Sequence, residues 1–313
     1  MQPTKHGIDS LVHLAVAKLA VAHAVTWGGT LVLSADDRTL RALPPTLLPS
    51  APTRLCWTTL DGNDAFVTAH ARSGGDCAVL LDDVLLLHTG RRWHELEEVQ
   101  AIPATLGGAA RHNIANALSA AALAAALGAP IEAIQRGLRS FGAAPDDCAG
   151  RLVRLDVGGA TIIVDYAHNP AAVEALIAST HQLPAARRAI AIGTGGNRED
   201  AAIEAMARSV VGTVTFDRIV VKDLPRYRRG RAEGEMPAIM AAELSRAGVE
   251  AARVRVALDD RAAVTDLLSW MRQGDLVLLT VHSERVAIMA WLEELRGRGW
   301  TAGEPLPPLP SSS

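Results

Sequence analysis

Between residues 164 and 170 the sequence reads Val-Asp-Tyr-Ala-His-Asn-Pro. Val164 closes a β-branched run (Thr161, Ile162, Ile163), and Pro170 opens an apolar-periodic segment, 171–183, that predicts a helix. Asp165, Tyr166, His168 and Asn169 therefore fall at the carboxyl end of a strand, where open α/β sheets bind ligands. An aspartate in that place can hold ribose hydroxyls, and a histidine can stack on a base or meet a phosphate. Asn169 before Pro170 is also an ordinary helix cap. That explains Asn169 but neither Asp165 nor His168.

Other segments carry comparable chemistry. In 105–120, "TLGGAARHNIANALSA", Asn113 and Asn116 are three apart and share one face of a predicted helix. Paired amides can read the donor and acceptor edge of an adenine, although Asn113 alone could be a cap and Asn116 chance. Arg151 stands just past a Gly/Pro/Asp-rich linker, 141–150, where a lone arginine is most often a surface residue. "GTGGNRED", 193–200, follows a strand and opens a helix, a setting suited to an anion, and contains Gly195, Asn197 and Arg198. "KDLPRYRRGRAEGE", 222–235, contains Arg229, Arg231 and Glu235, and its plainest reading is a solvated basic loop. Lys18 lies on a stripe with Leu11, Leu14, Val21 and Val25, where an apolar residue is expected. A lysine snorkelling at the edge of a buried helix is the bland account of it. His13, His23 and His282 show no metal spacing and read as structural.

The elements that must position these residues divide into two regions. A helix is predicted over 10–25, followed by a strand at 30–37 and short strands in "PTRLCWTTL", "AFVTAHA" and "AVLLDDVLLLHTG". An Ala-rich helix then begins at "RHNIANALSA", and the linker marks the domain boundary. Beyond it a hairpin turns at Gly158-Gly159. "RAIAIG", "DRIVVK", "RVRVAL" and "DLVLLTV" then alternate with helical patterns, ending in "SERVAIMAWLEEL". Such alternation predicts an α/β fold with a mainly parallel sheet covered by helices on both faces. The tail "EPLPPLPSSS" reads as disordered.

Composition narrows the class. The chain has 313 residues, with 49% hydrophobic and 21% charged, which excludes a disordered chain and leaves room for about two domains. A net charge of −3, without a basic block interleaved with aromatics, points away from nucleic acid. Cys56, Cys77 and Cys148 are far apart, as in a cytoplasmic protein with reduced thiols. The N-terminus has no signal-peptide pattern and no apolar run reaches membrane-spanning length, so the expectation is a cytoplasmic protein with no membrane partner.

Taken together, "GGAARHNIANALSAAALAAALG", "GRLVRL" and "VDYAHNP", in that order, resemble the Mur ligase superfamily. Further stretches ("GIDSLVHLAVAKL", "LVLSADD", "GGDCAVLLDDVLLL", "IAIGTGGNRED", "RRGRAEGE") narrow this to the Mur-ligase-like part of the cyanophycin synthetase family, from about His6 to Leu295. The resemblance implies a partial central ATPase-type domain at 1–149, a Rossmann-like C-terminal domain at 150–300 and a tail at 301–313. It also implies a ligase that uses ATP and Mg²⁺ to make an acyl-phosphate and join it to an amino acid or peptide. Asn113 and Asn116 would then contact adenine, Arg151 phosphate, and Asp165 and His168 the ribose region of an ATP site built across two domains. Lys18 takes the place of the superfamily's carbamylated, Mg²⁺-assisting lysine, so Lys18, Arg151 and His168 are the catalytic candidates. Gly195, Asn197, Arg198, Arg229, Arg231 and Glu235 are the substrate-binding candidates, with Asn197 where the family usually carries Asp.

A P-loop needs a lysine after glycine. Lys5 follows Thr4, Lys18 follows Ala17 and Lys222 follows Val221, so these 313 residues contain no P-loop. Aligned by its motifs, the sequence starts after the family's P-loop. Two readings follow: a Mur-type amide ligase whose P-loop half comes from another polypeptide, or a non-catalytic nucleotide-binding or scaffolding subunit of a full-length ligase. A Rossmann dehydrogenase is a distant third, because no Gly-x-Gly-x-x-Gly follows a strand. Either leading reading implies a homo-oligomer or a ligase partner subunit, the helix from Ser10 to Val25 being apolar on nearly every face.

Overall fold

A computed structural model describes residues 10–42, 53–144, 147 and 150–308. It divides into two compact units, Met1–Ala143 and Ala144–Ser313. Residues 145, 146, 148 and 149 of the linker expected at 141–150, Cys148 among them, and residues 309–313 of the expected tail lie outside the described residues.

In the first unit five strands run in the order β1 (Thr30–Ser34), β2 (Arg54–Thr59), β3 (Asp76–Leu81), β4 (Val84–Thr89), β5 (Arg92–Glu98). The first three are parallel and the last three form an antiparallel meander. Alternate strand residues face opposite sides, and both sides are covered. Cys56, Ala78, Leu80, Leu85 and Leu87 pack on Ile114, Leu118 and Ala121 of α4 (Arg111–Ala126). Leu31, Leu33, Trp57 and Val79 pack on Val67 and Ala71 of α3 (Ala65–Arg72), with Leu19 and Ala22.

Three expectations for this unit are corrected. "AFVTAHA" is helix α3, not a strand. Its buried residues, Val67 and Ala71, are four apart, and the Asp64 carboxylate caps it by accepting from Val67 N at 3.0 Å. "AVLLDDVLLLHTG" is two strands, because Asp82 and Asp83 both turn with positive φ (47° and 61°), the geometry of a two-residue hairpin. The helix expected over 10–25 is α1 (Leu11–Lys18) continued by a 3₁₀ segment, Leu19–Ala24. The unit also holds α2 (Arg38–Arg41) and α5 (Ile131–Ser140).

The second unit holds six strands in the order β10-β9-β8-β11-β7-β6. They are β6 (Val153–Val157), β7 (Ala160–Asp165), β8 (Arg188–Ile192), β9 (Arg218–Lys222), β10 (Val254–Ala257) and β11 (Leu276–Thr280). All neighbours are parallel except β6 and β7, joined through Gly158 and Gly159 at φ 63° and 80°. Helices α6 (Pro170–Thr180), α7 (Asp200–Arg208), α8 (Glu235–Arg246), α9 (Asp260–Trp270) and α10 (Arg285–Gly297) complete the α/β fold. Residues 301–306, expected within a disordered tail, fold back. Ala302 N donates to Gly158 O at 3.0 Å, and Trp300, Ala302 and Leu306 join the apolar core. Among the described residues no helix is long and apolar enough to cross a membrane.

Candidate functional site

The 164–170 segment lies at the carboxyl end of β7, as its residue types require. Asn169 Oδ1 accepts from Ala172 N at 3.0 Å and caps α6, with Pro170 in the first turn. Asp165 works locally: Oδ2 accepts from Leu152 N at 2.8 Å and Oδ1 from Ala167 N at 2.7 Å. Both carboxylate oxygens thus fix backbone on either side of the loop, including Leu152, which sits at φ 54°. His168 is exposed, and its Nδ1 donates to Tyr166 O at 3.1 Å. Arg151 is exposed, with its guanidinium carbon 5.3 Å from the Tyr166 ring centroid. Tyr166 is the common neighbour, its ring 5.4 Å from His168 and 5.3 Å from His282.

His282 extends the site beyond expectation. A cleft of about 510 Å³ is lined by Arg151, Tyr166, Arg226, His282, Ser283 and Arg285, among others. Three arginines and one acidic residue, Glu284, which pairs with Arg261 at 2.7 Å, line it beside the N-terminus of α10, a balance that favours anions. Burial first, and then the Lys222 charge, push the His282 imidazole down to about 3, so the ring is neutral. Its Nε2 donates to Ala167 O at 3.0 Å. The sequence signal was present in "VHSERV", polar residues at a strand end that opens a helix, the same pattern that singled out 164–170.

The glycine-rich loop after β8 is clamped from the 222–235 segment. Arg231 donates to Gly196 O (3.2 Å) and Arg198 O (2.7 Å), and pairs with Glu235 (2.7 Å) and Asp200 (2.8 Å). A Cβ on Gly196 would sit 2.0 Å from Arg228 O, so only glycine fits there. Arg228 in turn pairs with Asp223 (2.8 Å) and Glu233 (2.9 Å). The segment is therefore a braced structure rather than a solvated basic loop. Arg231 and Glu235 shape the loop, while Asn197 and Arg229 are exposed and Arg198 is half-buried, its guanidinium pushed down by burial. Gly195 is half-buried beside Asn197 Oδ1, 3.0 Å from where its Cβ would lie.

In the first unit, Asn113 and Asn116 are side by side on α4. Asn113 Nδ2 donates to Ala104 O at 2.6 Å, and its Oδ1 accepts from Asn116 Nδ2 at 3.3 Å. Asn113 is not the cap, which is Ala110; it holds Asn116, whose exposed amide is the one available to a ligand. Lys18 is exposed, not on a buried stripe. The buried face of this segment is Ala15, Leu19 and Ala22, while Leu14 and Val21 face solvent. The small alanines, not the larger residues, let the segment approach the sheet. Among the described residues no group of three His, Cys, Asp or Glu could hold a metal ion.

Comparison with known proteins adds five likenesses. The model of the Mur ligase, glutamate ligase domain matches residues 150–281. Cyanophycin synthetase of Trichormus variabilis is 32% identical over 290 residues, 93% of this chain and 31% of that protein. UDP-N-acetylmuramoyl-L-alanyl-D-glutamate--2,6-diaminopimelate ligase of Brucella melitensis is 31% identical over 188 residues, 58% of this chain and 34% of that protein. The chain thus spans about a third of the length of the curated relatives it matches. In fold it is similar to a murein peptide ligase of Psychrobacter arcticus (TM-score 0.59, 15% identity, 91% of this chain and 55% of that one). It is also similar to a MurF ligase of Thermotoga maritima solved in complex with ADP (TM-score 0.53, 16% identity, 91% and 58%).

Proposed function

Because the chain resembles the Mur ligase superfamily in both of its units, with residues 150–281 matching the glutamate ligase domain, we propose that it is part of an ATP-dependent amide ligase. The ligase would join an amino acid or peptide to a carboxylate, as cyanophycin synthetase-like proteins do. The observation that carries this reading is the extent of the likeness, 93% of the chain, with the expected chemistry-bearing residues at strand and helix ends. In this reading residues 1–149 correspond to a partial central domain and 150–300 to a C-terminal Rossmann-like domain of a cytoplasmic protein.

ATP supplies the phosphoryl group that activates the carboxylate; the residues of this chain bind and orient. Arg151 and His168 are exposed and suited to phosphate and ribose or base, and Asp165 holds their loop through its two backbone bonds. Asn116, steadied by Asn113, offers an amide edge to adenine. Asn197, Arg198 and Arg229 are suited to the carboxylate of the acceptor, with Gly195 leaving room and Arg231 and Glu235 bracing them. Mg²⁺ fits these residues poorly, since Lys18 is exposed and no described acidic cluster stands ready. Its ligands, like a P-loop lysine, would come from outside these 313 residues. The lysine count favours keeping the second reading, a nucleotide-binding or scaffolding subunit without catalysis of its own.

The test is ATP turnover. The purified chain, given ATP, Mg²⁺ and amino acids, should release no ADP above a heat-killed control. Restored turnover with a P-loop-bearing ligase would support the ligase reading, and nucleotide binding without restoration the scaffolding one. Amide made by the chain alone, with ADP in step, would overturn the need for a partner.

A further inference from the structure

Lys222 ends β9 with its side chain 1% exposed, far from any role the function above gives a lysine. Its ammonium donates to the Asp260 carboxylate and to Thr280 O. Asp260 opens α9 and is equally buried; its second oxygen accepts from His282 N at 3.1 Å and Ser283 N at 2.6 Å. Two side chains thus hold the exit of β11 at three backbone points. From there the contacts continue. Val281 N donates to Asp165 O at 2.8 Å, and His282 Nε2 to Ala167 O at 3.0 Å. The Lys222 stem also lies under the start of the glycine-rich loop. A Cβ on Gly193 would come within 2.9 Å of Lys222 Cγ and 3.1 Å of its carbonyl oxygen. Thr194 Oγ1 in that loop donates to His168 O at 3.3 Å.

As a source of stability the pair is a poor choice. Removing two charges from water is expensive, and well-packed apolar residues of similar volume often serve as well or better. What an apolar pair lacks is direction. Lys222 and Asp260 make hydrogen bonds at fixed angles to the backbone of one turn; that turn bonds the 165–169 loop, which Thr194 Oγ1 joins in turn to the glycine-rich loop.

We propose that Lys222 and Asp260 are positioning residues, a buried pin that sets the β11–α10 turn and through it the 165–169 and 193–198 loops. The functional half of this rests on the nucleotide reading above; the geometric half does not. Replacing the pair together, Lys222→Met with Asp260→Leu, removes the directional bonds while keeping the volume filled. Thr280 O and the His282 and Ser283 amides lose these partners, so the thermal midpoint of the full chain should fall while the chain stays folded. The backbone amide resonances of His168, Thr194 and Gly195, none of which touches the exchanged side chains, should move. ADP affinity should fall roughly tenfold, the scale on which outer supports of a site act. Unmoved loop resonances in a folded double variant would show that the pair only fills space and would overturn the proposal. Should that variant fail to fold, Asp260→Asn, which cannot satisfy Lys222 and both amides together, carries the same resonance test with the same two outcomes. If the parent chain binds no ADP, the nucleotide reading falls, while the loop resonances still decide the positioning role.

Discussion

At the scale of single residues, the types and their places were legible, but their commitments were not. Asp165 and His168 could be put at a strand end because β-branched residues precede them and Asn-Pro follows. That both oxygens of Asp165 are held by amides, one thirteen residues earlier in the chain, is a matter of folded geometry. Arg231 reads in sequence as a free cation, yet it clamps carbonyls more than thirty residues away. His282 was set aside for want of metal spacing, and the groups around it, Ala167 O and the buried Lys222 ammonium, come from distant segments. That surrounding has a measurable consequence. Burial, then Lys222, lower the ring from 6.5 to about 3. Between those values the unfolded chain takes up a proton that the folded chain refuses. The contribution of His282 is therefore complete above pH 6.5 and is lost as pH falls toward 3, at up to ~1.4 kcal/mol per pH unit. Urea unfolding followed from about pH 7 to about pH 4 should show this slope, and His282→Gln, which keeps a donor for Ala167 O, should flatten it. An equal slope in the variant would contradict the assignment.

At the scale of elements, the second unit was the more readable. Parallel strands buried on both faces are short β-branched runs, and each is punctuated by a helix with a recognisable start. The first unit misled where a short amphipathic helix carries Phe66, Val67 and Thr68, residues common in strands. Its cap decides the matter. Asp64 accepts from Val67 N and pairs with Arg41 at 2.8 Å. Burial pushes its carboxyl up, but the Val67 amide and Arg41 outweigh this and hold it below the ordinary value. Asp64→Ala should therefore lower stability by about 1–2 kcal/mol, the usual weight of a lost cap. The shift would be read as a displaced urea midpoint with an unchanged slope. No displacement would mean that tertiary packing alone specifies α3.

At the scale of the whole molecule, the first unit leaves apolar surface uncovered. Val12, Val16, Val21 and Trp27 are 40 to 81% exposed, and β1 has no strand on its outer side among the described residues. Such a face and edge invite another chain. Light scattering should show association, with itself or with a ligase subunit, weakened by Trp27→Glu with Val21→Glu. A monodisperse monomer that captures no such subunit would contradict this. The central claim, that the chain belongs at a nucleotide, is tested most directly by calorimetric titration of ADP into the purified protein and into His168→Ala and Asn116→Ala. Both side chains are exposed, so neither change should disturb folding. The parent chain should bind ADP weakly and each variant should clearly lose affinity, with thermal midpoints unchanged. No heat of binding in the parent, or equal affinity in all three proteins, would contradict that claim.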